Sequence, residues 1–111
     1  LSKIILNSAK KINQFYRESL ANNKEFIFVL HPNAGHFYID KNEYSHAKLD
    51  EELLKLLDKR MKVINVGQKL IKINKKENNK TFFYKYDGHY NIEGYKIVSE
   101  IINEEISKVL K

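Results

Sequence analysis

An acid and an imidazole stand two residues apart at Asp87-Gly88-His89, in a turn that leads directly into an amphipathic run ending near Lys111. In a serine-nucleophile triad the carboxylate holds one imidazole nitrogen and fixes the tautomer, and the other nitrogen takes the hydroxyl proton. A neutral histidine with an unperturbed pKa of about 6.5 suits that task near neutral pH. Asp, Gly and Asn are also common turn formers. Spacing alone therefore leaves a second reading open, in which Asp87-Gly88 is a plain turn, Asn91 the N-cap of a helix and His89 an exposed side chain.

The elements that must position these residues follow from apolar spacing. From Leu1 to about Ala21, Ile4, Ile5, Ile12, Phe15, Tyr16 and Leu20 with Ala9 recur at helical intervals, and Asn22-Asn23 ends the run. Glu25 to His31 is a continuous apolar segment of strand length stopped by Pro32, the pattern of a strand buried on both faces in a parallel sheet. Pro32-Asn33-Ala34-Gly35 has turn chemistry, and His36 to His46 predicts a surface excursion. From Lys48 to Arg60, Leu49, Leu53, Leu56 and Leu57 predict a second helix, with Asp50, Glu51 and Glu52 in its first turn, where the helix dipole favours acids. Lys62 to Val66 predicts a short strand, Gly67 to Ile73 a continuation of undecided type, and Lys75 to Lys80 a polar, mobile loop.

Thr81 to Tyr86 predicts an extended, aromatic approach to the motif, with one buried face in its ordinary reading and a stacking surface in the other. Beyond Asn91, the positions Tyr95, Val98, Ile101, Ile102, Ile106 and Val109 repeat at threes and fours and define the final helix. The alternation of helix and strand predicts an α/β fold with parallel crossovers. Two strands are too few for three amphipathic helices, and a strand as apolar as Phe26 to Leu30 needs neighbours on both edges. The missing strands must come from a preceding part of the protein or from a second copy of the chain. The opening residue, Leu1 rather than Met, likewise predicts a cut, processed or partial polypeptide.

At 111 residues the chain is one domain long and can bury about 65% of its unfolded surface. It has no cysteine, which removes disulfides, thiolate nucleophiles and thiolate metal sites. No apolar run approaches the ~18 residues of a spanning helix, so no membrane span is expected. The net charge of +6 suits an anionic partner, but all the basic residues except Arg17 and Arg60 are lysines. Arginine is the better residue for bidentate phosphate contact, and no nucleic-acid partner is expected. His31, His36 and His46 lie in no H-E-x-x-H pattern, and no metal site is expected. His31 is placed instead at a strand end, the edge where ligands of open α/β sheets collect.

The run Tyr86-Asp87-Gly88-His89-Tyr90-Asn91-Ile92-Glu93-Gly94-Tyr95-Lys96-Ile97-Val98-Ser99-Glu100 resembles the last conserved block of the SGNH (GDSL-type) hydrolase and acyltransferase superfamily. There an Asp and a His before the C-terminal helix complete a Ser-His-Asp triad, and an Asn and a Gly follow. The resemblance implies that Asp87 orients, that His89 is the base, and that Gly88, Asn91 and Gly94 shape the turn and the start of the helix. The commonest form of the block has two residues between Asp and His. The single Gly88 here, with the aromatic Tyr90 after the His, is similar to the branch of alginate-type O-acetyltransferases. That likeness implies an acyl-ester substrate, with esters of polysaccharide as the class the branch points to, approached from the edge that carries His31 and Tyr90, no cofactor, and a lean towards the cell envelope.

The layout of Phe26 to Tyr38 and of Lys62 to Val66 also resembles the last central strands of that family. The expected fold is accordingly the C-terminal half of a flavodoxin-like three-layer domain with parallel strands, residues 1–111 forming one partial domain without its N-terminal strands. The family's nucleophile lies in a Gly-Asp-Ser block, and none of Gly35, Gly67, Gly88 and Gly94 is followed by Asp-Ser. Without a serine and its oxyanion donors no acyl intermediate forms, and the isolated chain is expected to be inactive. The alternative from another class is a non-catalytic binding or assembly domain, whose apolar faces meet a partner.

Overall fold

The computed structural model describes residues 2–34, 47–76 and 81–110. Among these the chain is mixed helix and strand, in the order α1 (Ser2–Ala21), β1 (Ile27–Leu30), α2 (Ala47–Leu56), β2 (Lys62–Asn65), α3 (Val66–Lys76) and α4 (Ile92–Val109). β1 and β2 pair in parallel as a two-stranded sheet. The excursion expected from His36 to His46 lies outside the described residues, as do positions 77–80 of the polar loop. The described residues fall into two compact units, one drawn from Leu1–Phe28 and Glu43–Val63, the other from Val29–Asn42 and Ile64–Lys111.

In the first unit α1 packs on α2. Ala9 and Tyr16 from α1 are buried with Leu57 and Met61, and Ile12, Phe26, Phe28, Leu53, Leu54 and Val63 pack around them half-buried. α1 stops at its two asparagines for a local reason. Asn23 takes the left-handed conformation, with φ +55°, so that its N–H reaches the Leu20 carbonyl at 3.1 Å and the Lys24 N–H reaches the Ser19 carbonyl at 2.8 Å. These are the two bonds of a Schellman cap.

The helix expected to reach Arg60 ends instead at Leu56. Asn13 on α1 supplies the competing partners: its Nδ2 donates to the Leu56 carbonyl at 2.9 Å, and its Oδ1 accepts from the Asp58 N–H at 2.8 Å. The Asp58 carboxylate then accepts from the Arg60 N–H at 2.9 Å and from the guanidinium at 2.9 Å and 3.1 Å. Side chain–backbone bonds of this kind compete with the helical ladder. The Arg60 bonds also lower the Asp58 carboxyl to about 2.

In the second unit Gly67 to Ile73 is neither strand nor loop. It belongs to α3, which also takes in Lys75 and Lys76. The strand before it stops at Asn65, whose Oδ1 accepts from the Gln68 N–H at 3.1 Å and so caps the new helix. Val66 and Leu70, one helical turn apart, are completely buried, and Ile64, Phe82, Phe83 and Val98 are buried in the same unit. All four residues of β1 are half-buried rather than buried on both faces, because the described sheet gives the strand one neighbour instead of two.

α3 packs on α4, where Glu105, only 12% exposed at its side chain, accepts from Lys69 at 3.0 Å and from Lys108 at 3.3 Å. The bond from Lys69 holds the Glu105 carboxyl below its ordinary value against the opposing effect of burial, and Lys108 adds to it. A carboxyl lowered in the folded state stabilises fully above its unfolded value, about 4.3. That contribution is lost as pH falls through the folded value. Glu105→Gln should therefore flatten the acid limb of stability while changing stability near neutral pH by less than about 1 kcal/mol, because the Lys69 side chain is 42% exposed and solvent screens the pair. Urea unfolding of both proteins at neutral pH and at about pH 3 checks this. Among the described residues no helix is long and apolar enough to cross a membrane.

Candidate functional site

Thr81 to Tyr86 does not form the expected strand. Phe82 and Phe83 are both buried, so side chains do not alternate between a wet and a dry face. Extended pairing is confined to an antiparallel bridge between Phe83 and Tyr90. The Tyr84 N–H donates to the His89 carbonyl and the Asn91 N–H to the Phe82 carbonyl, each at 2.9 Å. Phe83 and Tyr90 are thus the non-hydrogen-bonded pair, whose side chains approach most closely. Their rings stack with centroids 5.0 Å apart. This short hairpin holds Lys85 to Gly88 as its connection.

Asn91 ties the hairpin to α4. Its Oδ1 accepts from the Gly94 N–H at 2.7 Å, the N-cap bond, and its Nδ2 donates to the Thr81 carbonyl at 3.1 Å. Gly94 is required by a close approach. A Cβ there would lie 2.9 Å from the Phe82 carbonyl carbon and 3.2 Å from its Cα, and closer still to the carbonyl oxygen. Asn91→Ala removes the cap and the bond to Thr81 together, and should cost about 1–2 kcal/mol in chemical unfolding.

Gly88 turns the chain at φ +50°, in the left-handed region. This turn folds the acid back on the imidazole. His89 Nδ1 is hydrogen-bonded to Asp87 Oδ1, and the His89 N–H lies 3.3 Å from the same oxygen. The bond from the His89 side chain lowers the Asp87 carboxyl below its ordinary value, with desolvation opposing. The His89 side chain is 78% exposed and that of Asp87 61%. The imidazole edge turned away from Asp87 is therefore open to an approaching group.

His31, the residue after β1, and Tyr90 are brought together, His31 Nδ1 lying 2.9 Å from the Tyr90 hydroxyl. Burial, with a smaller contribution from Tyr95, raises the Tyr90 hydroxyl to about 12. Around these residues Tyr86, Ile92 and Tyr95 are exposed, Tyr86 to 93%. His36 and His46 lie outside the described residues, and among the described residues no three metal-ligating side chains cluster. The His31–Tyr90 bond spans 59 positions of sequence and joins two residues that sequence reasoning placed at one edge without pairing them. Comparison with protein-family models, curated proteins and solved structures returns no match for this chain.

Proposed function

We propose that the chain is the C-terminal part of a flavodoxin-like domain of SGNH type, and that it supplies Asp87 and His89 to the Ser-His-Asp triad of a serine esterase or O-acyltransferase. The observation that carries this reading is the hydrogen bond from His89 Nδ1 to Asp87 on an exposed turn. A carboxylate kept ionised accepts the Nδ1–H and so selects the tautomer whose lone pair is on Nε2. That lone pair takes the proton of a serine Oγ as the oxygen bonds to the acyl carbonyl carbon. Collapse of the tetrahedral adduct expels the alcohol, which takes the proton back from Nε2. Water or a sugar hydroxyl then gives its proton to Nε2 and attacks the acyl-serine, and the second adduct collapses by breaking the acyl–Oγ bond, the serine Oγ taking the proton back from Nε2 as the acid or new ester leaves, so no cofactor is required.

The serine and the oxyanion donors belong to a segment outside these residues. Support for such a segment comes from the apolar side chains left exposed on the helices, among them Ile4, Phe15, Leu20 and Ile92, and from the sheet, which has two strands among the described residues. The same side chains favour a second reading, an assembly domain that meets another copy. A concentration-independent, fully folded monomer of this chain would count against both. The functional test is hydrolysis of 4-nitrophenyl acetate by the full-length protein. His89→Ala should lower kcat/KM by about 10³-fold, within the range of general-base catalysis, and the 111-residue chain alone should show no turnover. Turnover indifferent to His89→Ala would sink the proposal.

A further inference from the structure

We propose that Tyr90 is a positioning residue for the Asp87–His89 pair and that His31 holds Tyr90 in place, a role that rests on the triad reading above. Asp87 and His89 are bonded to each other but stand exposed, Asp87 within the four-residue connection and His89 directly after it, and that bond does not fix where the pair points. One anchor of the hairpin is at α4, through Asn91 and Gly94. Tyr90, the residue after the base, supplies the other. Its ring is stacked on Phe83 and meets Tyr95 edge-on with centroids 5.6 Å apart, and its hydroxyl is 2.9 Å from His31 Nδ1.

His31 follows the last residue of β1, so this bond registers the turn against the C-terminal end of a parallel strand, where open α/β sheets bind ligands. The hydroxyl stays protonated well above neutral pH, its pKa raised to about 12 by burial. It is therefore a neutral partner that can donate to His31 or accept from it. Phe83 and Tyr95 hold the ring, and the hydroxyl sets its direction.

The test is the tautomer ratio of His89, read by nitrogen–proton NMR on the full-length protein carrying isotope-labelled histidine. Tyr90→Phe keeps the ring and removes the hydroxyl. It should reduce the ratio of Nδ1–H to Nε2–H tautomer at His89 roughly three- to tenfold, the size set by one net hydrogen bond. His31→Ala should do the same, and His31→Asn, whose amide occupies the place of Nδ1, should restore the ratio. A His89 ratio unchanged by Tyr90→Phe in a folded protein overturns the proposal. If Tyr90→Phe fails to fold, equal ratios in His31→Ala and His31→Asn overturn it. A wild-type His89 with no preference for Nδ1–H would instead defeat the triad reading beneath, so the two failures are distinguishable.

Discussion

Gly94→Ala is expected to destabilise the second unit by about 3 kcal/mol and to lower the melting temperature by on the order of 10 °C. The reason is what the added methyl meets. A flexible side chain could swing aside, but the atoms in the way are the backbone carbonyl and Cα of Phe82, a residue whose side chain is itself completely buried. Either α4 moves out or the Phe82 peptide moves in. Both displacements strain the 2.9 Å bond from Asn91 N–H to the Phe82 carbonyl, and the first also opens the 2.7 Å cap from Gly94 to Asn91. Thermal and urea unfolding read the loss directly, and wild-type stability in Gly94→Ala would contradict the close approach.

The second large effect is on chemistry rather than stability. Asp87→Asn in the full-length protein should lower the acyl-transfer rate near neutral pH by about 10³- to 10⁴-fold, while the melting temperature stays within a few degrees. An amide can donate to Nδ1 and so favours the tautomer that keeps its lone pair on Nδ1 and carries its hydrogen on Nε2, the wrong side for a base. Because His89 lowers the Asp87 carboxyl in the folded protein, the acid is ionised throughout the range in which a histidine base works. The stabilising part of this pair, small at so exposed a site, is present above the unfolded carboxyl value and is lost as pH falls through the lowered folded one. A pH profile of kcat/KM in Asp87→Asn checks the effect on rate, and a rate equal to wild type would remove Asp87 from the mechanism.

The apolar code of α1 and α4 was readable because each face repeats over four or more turns, and β1 because Pro32 stops an unbroken apolar run. α3 was obscured by continuity. The run from Lys62 passes into Val66 without a breaker, and Val66, Leu70 and Ile73, one helical stripe, read equally well as the tail of a strand. Asn65 was the available signal, a capping residue just before the stripe. The early end of α2 had only Asp58 as a local signal, since Asn13, whose side chain takes the Leu56 carbonyl and the Asp58 N–H, comes from another helix.

At the site, the Asp87 to Gly94 block was legible in residue types, and the Asn91 cap followed from turn chemistry. The need for glycine at 94 was not, because it depends on the passage of the Phe82 backbone, which only the fold brings there. Nor was the exchange of a strand for a single bridge at Phe83, since adjacent phenylalanines can both be buried when the chain turns beneath a helix rather than lying in a sheet.

Under the proposed function His89, oriented by Asp87, serves a serine. Treatment of the full-length protein with a fluorophosphonate and measurement of the covalent adduct by mass spectrometry tests this most directly. One adduct is expected, on a serine in a Gly-Asp-Ser block, forming about 10²- to 10⁴-fold more slowly in His89→Ala. No adduct, or an adduct whose rate is the same without His89, would contradict it.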